Sequence, residues 1–258
     1  MLMGINALLE RTFVHIMGVG TKTERRIWQQ GIETWDHFLN HQGVVFSPAR
    51  DRFICKELTE SKKHIHDIRF FKERLSSEDM WRVFEAFRDR AVYLDIETSG
   101  GYQGVNEITL IGIYDGRSVQ TFINGKNLDQ FESAICQYDL IITFNGSTFD
   151  LPFIRKWFRH ISFPTGHIDL RFLLKRIGYR GSLKKIEKEL GIIRPPEIAE
   201  MSGYDAVLLW KAYQWGDESA LARLVEYNRA DVVNLEPLMV YCYEEMKKRV
   251  LVRRASHV

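Results

Sequence analysis

The chain has 258 residues, 45% hydrophobic and 27% charged, which suits a globular protein with one full α/β domain and a smaller module. No apolar run approaches the ~20 residues of a membrane span, and the opening MLMGINALLERTF lacks the basic start and apolar stretch of a secretory signal. A formal net charge of +2 argues little for a polyanionic partner, and the well-separated Cys55, Cys136 and Cys242 suggest neither a disulfide framework nor a zinc knuckle, so a reducing, cytoplasmic setting is expected.

Residues 1–88 read as a small helical module, and 89–258 as a second domain, because near Ala91 the texture changes to short apolar runs separated by turn signals. The most readable part of the module is 13–39. Phe13, Val14 and Ile16 lead into Gly18-Val19-Gly20, an amphipathic helix follows with Ile27 and Trp28 inward, and a second turn falls at Gly31-Ile32. This stretch resembles a helix-hairpin-helix element. In such an element the Gly-x-Gly turn brings backbone N–H groups at a helix N-terminus to a phosphate, and Lys22 and Thr23 stand where they would help. A plain helix–turn–helix packed on the next domain accounts for the same spacing. His64 and His66 look like a metal pair, but no third ligand is evident and a solvated basic helix face explains them.

Beyond Ala91 the pattern predicts strands at 92–97, 108–114 and 119–123, with Asp115-Gly116 turning a hairpin between the last two. A helix at 128–137 leads to a buried strand at 140–144. A helix at 151–160 and a short extended piece at 167–170 follow, and then helices at 171–177, 183–190, 204–215 and 218–235, with another closing the chain. Three meander strands, a helical crossover to a buried strand and then helices is an α/β pattern with a mixed sheet. The basic clusters at Lys184, Lys185 and Lys188, and at Lys247, Lys248, Arg249, Arg253 and Arg254, read as solvated helix faces.

Three segments carry acids in informative places. In AVYLDIET, 91–98, strand alternation puts Val92, Leu94 and Ile96 on one face and Tyr93, Asp95 and Glu97 on the other. Two carboxylates on one face repel by about 2–3 kcal/mol at ~5–7 Å and an effective dielectric of ~20, a load that a bound dication with a taste for hard oxygen ligands relieves. An exposed edge strand accounts for the same alternation. In DLIITFNGSTFDLPFI, 139–154, Asn145-Gly146 breaks a strand and Asp150 opens a helix, where it serves as a cap, a ligand or both. Asn145 and Phe149 fall at the strand's C-terminal end, where α/β sheets present ligand-binding groups. In EYNRADVVNLEPL, 226–238, Tyr227 and Asp231 share a helix face.

Taken in order, Asp-x-Glu on a first strand, Asn-x₃-Phe-Asp after a fourth and Tyr-x₃-Asp on a late helix resemble the DEDD exonuclease superfamily. This is the ribonuclease H-like fold of proofreading domains, and Tyr-x₃-Asp is similar to its tyrosine subclass. HIDL at 167–170, SLKKIEKELGI at 182–192 and EYNRADVVNL at 226–235 look like the YprB-type branch. The resemblance runs from about Ala91 to the C-terminus. It implies a ribonuclease H-like mixed sheet flanked by helices, and a 3′–5′ exonuclease acting with two divalent cations, Mg²⁺ or Mn²⁺. It also implies that Asp95 bridges both ions, Glu97 and Asp231 complete one, Asp150 serves the other, and Tyr227 orients the attacking water. Asn145 and Phe149 would hold the terminal nucleotide.

Asp169 reads as the cap of the helix starting near Arg171, and Trp157, Phe158, Phe163, Trp210 and Trp215 read as packing residues. The expected partner is the 3′ end of single-stranded DNA or RNA, DNA being favoured because hairpin elements grip duplex backbone, and no membrane is implied. A non-catalytic nucleic-acid-binding module of the same fold, and an endonuclease or nucleotide hydrolase using the same ions, stand as alternatives. Loss of an acid would mark the first of these, and none is lost.

Overall fold

The computed structural model describes residues 8–101 and 106–252. Arg253, Arg254 and most of the opening stretch lie outside them. The chain divides into two compact units, residues 1–88 with 243–258 and residues 89–242.

In the first unit a 3₁₀ turn at Leu8–Arg11 precedes α1 (Thr21–Gln29), α2 (Trp35–Leu39), α3 (Pro48–Lys63), α4 (Ile68–Lys72) and α5 (Phe84–Phe87). Phe13 to Val19 is a run of turns, with Ile16 N–H bonded to the Phe13 carbonyl at 3.0 Å and Val19 N–H to the Ile16 carbonyl at 2.9 Å. Gly18 takes φ +79°, the left-handed conformation in which a side chain is strained. α1 buries Ile27 and Trp28, as its apolar spacing predicts. It also buries Glu24, which accepts the Phe13 N–H at 2.7 Å and binds Arg82 Nη1 through both oxygens at 2.9 and 3.0 Å. Trp28 and Trp35 donate their indole N–H to the Arg11 and Thr12 carbonyls, so the turn before α1 is tied from three sides. His64 stacks on Phe70 with ring centroids 4.8 Å apart and lies 3.6 Å from Asp67, which accounts for it without a metal. Lys247 and Lys248 pair with neighbouring acids, as on a solvated face.

The second unit is built on a five-stranded sheet of order β3-β2-β1-β4-β5, with β1 (Ala91–Thr98), β2 (Ile108–Tyr114), β3 (Val119–Ile123), β4 (Leu140–Thr143) and β5 (Gly166–Asp169). β1–β2 and β2–β3 are antiparallel; β1–β4 and β4–β5 are parallel. The expected mixed sheet flanked by helices is therefore present, and β1 is its central strand rather than an edge. Val92, Leu94 and Ile96 pack on one face against Phe131 and Ile135 of α6 (Phe131–Ile135) and Leu151 and Ile154 of α7 (Asp150–Trp157). On the other face Leu110, the cross-strand partner of Glu97, packs against helices that follow β5.

Those helices are α8 (Leu170–Ile177), α9 (Leu183–Glu189), α10 (Pro196–Ala199), α11 (Gly203–Gln214) and α12 (Glu218–Val252). Two expectations are corrected. The helix expected to end at 235, with a separate one after it, is a single 35-residue helix that carries Pro237 inside. A proline forfeits one i→i−4 hydrogen bond and usually ends a helix, but here the turns on both sides persist. Trp215, expected to pack, is 91% exposed because it caps α11 at a turn through Gly216, off the buried helix face. Trp157 is also 37% exposed, whereas Trp210 is buried and Phe158 and Phe163 pack at the core's edge. Among the described residues no helix is long and apolar enough to cross a membrane.

Candidate metal centre

β1 presents Asp95 and Glu97 on the face opposite Val92, Leu94 and Ile96, and α12 lies over that face through Leu221, Leu224 and Tyr227. One turn beyond Tyr227, α12 carries Asp231. One carboxylate oxygen from each of Asp95, Glu97 and Asp231 lies within 4.8 Å of the other two. Glu97 and Asp231 are buried and Asp95 half-buried. Burial, followed by the charge of Asp231, pushes both Asp95 and Glu97 well above the usual carboxylate range. Asp231 is pushed up to about 6 by burial, against the opposing pull of Arg194. Three crowded carboxylates call for positive charge, and an all-oxygen donor set suits Mg²⁺ or Mn²⁺. The residues fit such ions.

Asp150 lies outside this three-acid group. It is the first residue of α7 and 3% exposed, but it does not cap the helix; the cap position belongs to Phe149. Its Oδ1 accepts the Ile96 N–H at 3.1 Å. β4 pairs with β1 only from Ala91 to Tyr93, so the later part of β1 lacks a partner strand on that side and Asp150 satisfies the exposed amide. Burial pushes its carboxyl up to about 7. Its charge also raises Asp95 and Glu97, which places it electrostatically beside the group.

Several residues at this site escape a reading of the sequence. Asn228 Nδ2 donates to Asp95 Oδ2 at 2.8 Å, and the Asn228 amide also bonds Glu97. Room for it comes from Gly112, opposite Asp95 on β2, where a Cβ would stand 1.8 Å from Asn228 Oδ1. Asn228 is three residues from Asp231, so helical spacing was a usable signal for it. Arg194, in the loop after α9, donates through Nη2 to Asp231 Oδ1 and is held by Glu187 of α9. Nothing in the loop's pattern marks it. Lys184, expected on a solvated face, instead has its Nζ enclosed without a hydrogen-bond partner, 4.4 Å from the centre of the Tyr227 ring. Its stem crosses the surface while its ammonium reaches inward towards the acids, an orientation that the basic run Lys184-Lys185 hides.

Tyr227 is 6% exposed and lies on the α12 face that carries Asp231. Burial, with Asp231, Glu97 and Asp95 next, raises its phenol far above the ordinary value, so the hydroxyl stays protonated. Asn145 takes φ +69° at the end of β4, and its Oδ1 accepts from Thr148 Oγ1 at 2.7 Å and Arg171 Nη1 at 2.5 Å. Phe149 is 44% exposed and its ring lies 5.9 Å from that of Phe153. Asp169 caps α8 through the Arg171 N–H and also accepts the Asn145 and Ser147 N–H groups, which fixes this loop. Lys22 and Thr23 sit in the first turn of α1, in the other unit, Lys22 exposed and Thr23 half-buried; Gly20 is the cap, with no side-chain bond.

With this geometry in hand, the family model of the RNase H superfamily matches residues 92–243. The chain belongs to the RNase H superfamily. No curated protein matches it. Among solved structures, this RNase H superfamily member is similar to the family B DNA polymerase of the archaeon Pyrobaculum calidifontis, at 15% identity over 62% of this chain and TM-score 0.45. It is also similar to Escherichia coli RNase D, an exoribonuclease of structured RNA processing, at 18% identity over 70% of this chain and TM-score 0.41. Brucella melitensis NrnC is a third, at 17% identity over 66% of this chain and 81% of its own, with TM-score 0.44. The chain spans 24% of that polymerase and 49% of RNase D.

Proposed function

We propose that this RNase H superfamily protein is a metal-dependent 3′–5′ exonuclease of the DEDD type, tyrosine subclass and YprB-type branch, acting on single-stranded nucleic acid with DNA favoured over RNA. The observation that carries this reading is the convergence of Asp95, Glu97 and Asp231 oxygens within 4.8 Å on a central strand and the helix above it. Two divalent cations, Mg²⁺ or Mn²⁺, would supply the Lewis acidity and a nucleophilic water at neutral pH.

The chain's own residues do the rest. Asp95, Glu97, Asp231 and Asp150 would hold the ions, and the charges of the other three all act on the Asp95 carboxyl, which supports a shared role for it. Asp150 meanwhile keeps the Ile96 amide satisfied, which fixes its carboxylate. Tyr227 remains a protonated phenol beside the acids. It therefore orients a water through its hydroxyl and does not act as a base. Asn228 holds the Asp95 carboxylate in its rotamer. After β4 the exposed Phe149 ring would offer a stacking face for a terminal base, and the Asn145 amide nitrogen a polar contact, its oxygen being taken by Thr148 and Arg171. The N-terminal module, 1–88, would grip backbone phosphate at the start of α1 through Lys22 and Thr23, leaving 89–258 as the exonuclease domain.

The test is a 5′-labelled oligonucleotide, in matched DNA and RNA forms, incubated with Mg²⁺ or Mn²⁺. A ladder descending from full length supports the reading, and faster loss of the DNA strand supports the sugar preference. Discrete internal products point to an endonuclease and an unchanged strand to a binding module; either outcome defeats it. Asp95→Asn abolishes the ladder with its far-ultraviolet circular dichroism unchanged.

A further inference from the structure

Arg194 has a side chain only 4% exposed. Glu187 grips it from one side, Nε to Oε2 at 2.5 Å and Nη2 to Oε1 at 2.7 Å, and Glu187 is itself steadied by Asn234 Nδ2 at 3.1 Å. The same Nη2 donates to Asp231 Oδ1. Burial opposes the guanidinium's charge, but Glu187 and Asp231 outweigh it and keep the group cationic.

Two features separate this from a finished structural ion pair. Glu187 alone neutralises and orients the arginine, so the second bond is not needed to hold it. That bond goes to a carboxylate standing within 4.8 Å of Asp95 and Glu97, where positive charge is wanted. Moreover, Nη1 is enclosed and has no hydrogen-bond partner. A buried guanidinium in a permanent seat has its donors satisfied. Lys184 is the other cation at the cluster, but its Nζ makes no hydrogen bond to an acid. Of these two cations, Arg194 is the one hydrogen-bonded to an acid of the cluster.

We propose that Arg194 is a resident counter-ion that competes with a divalent cation for Asp231, so that loading the three-acid cluster requires the guanidinium to release Oδ1 while Glu187 retains it. The inference rests on reading that cluster as a metal centre. A dication and a guanidinium sharing one carboxylate oxygen repel each other at short range, so they exclude each other there. Glu187 keeps the released arginine from being left as an unpaired buried charge.

The experiment is Mn²⁺ binding by the full chain, read as free Mn²⁺ by electron paramagnetic resonance, for the wild type, Asp95→Asn and the double variant Glu187→Gln/Arg194→Met. The double variant removes both members of the pair, so no buried Glu187 charge is left to attract the ion by itself. It binds Mn²⁺ about tenfold tighter than wild type, the scale of one charge-assisted hydrogen bond. Unchanged or weaker binding in the folded double variant overturns the proposal and makes Arg194 a support that orders Asp231 for the ion. A second measurement needs no variant. The ¹⁵N resonance of Arg194 Nη2 shifts as Mg²⁺ saturates the wild type, and an unshifted resonance at saturation overturns the proposal. Wild-type Mn²⁺ binding that Asp95→Asn leaves intact sinks the metal reading itself, and the competition with it; loss of binding in Asp95→Asn with no gain in the double variant sinks the competition alone.

Discussion

Asp150 and Gly112 show how much of a site rests on groups outside the three-acid cluster. Asp150 is buried, satisfies the Ile96 amide and carries a carboxyl raised to about 7. Asp150→Asn preserves an acceptor for that amide and removes a buried charge, so the melting temperature without ions is equal or higher. On the proposed reading, nuclease activity falls by about a hundredfold or more, because a carboxylate that serves an ion is lost. Paired melting curves and oligonucleotide assays check both halves; a variant that melts much earlier assigns Asp150 to structure instead. Gly112→Ala places a methyl group 1.8 Å from Asn228 Oδ1 and must push Asn228 away from Asp95. It destabilises the protein by about 1–3 kcal/mol in denaturant titrations and weakens Mn²⁺ binding.

Among elements, those whose periodicity answers to a single cause were the readable ones. β2 and β3 match the predicted 108–114 and 119–123 because apolar runs are cut cleanly by Asp115-Gly116, and β1 differs from 92–97 by one residue at each end. α12 runs on past the expected end at 235 because packing by Leu238, Met239 and Cys242 holds the helix together through Pro237. At the site, alternation puts Asp95 and Glu97 on one strand face and helical spacing puts Asp231 beside Tyr227, but only the family resemblance brings the three acids together. Arg194 and Glu187 could not, since their meeting depends on the path of an irregular loop after α9. The first unit has a comparable device: Glu24 of α1 and Arg82 form a buried pair that also holds the turn at Phe13. Arg82→Met leaves Glu24 without its counter-charge and costs about 3–5 kcal/mol, whereas Glu24→Gln/Arg82→Met recovers most of it. A double-mutant cycle in urea measures this, and additive losses would contradict the coupling.

For the whole molecule, the raised carboxyls set a pH dependence. The unfolded chain releases these protons near the ordinary carboxylate values of about 4, whereas folded Asp231 and Asp150 hold theirs to about 6 and about 7. Between those limits the folded state binds more protons, so this cluster's contribution to stability falls as pH rises. Divalent ions take the ionised form and reverse the trend. The rise in melting temperature on adding Mg²⁺ is therefore small at pH 5 and grows up to pH 8; a rise independent of pH would contradict it. The measurement that bears most directly on the acid cluster is anomalous scattering from crystals soaked in Mn²⁺. The account predicts a peak within coordinating distance of Asp95, Glu97 and Asp231 together. Manganese bound only elsewhere, with these carboxylates untouched, would contradict it.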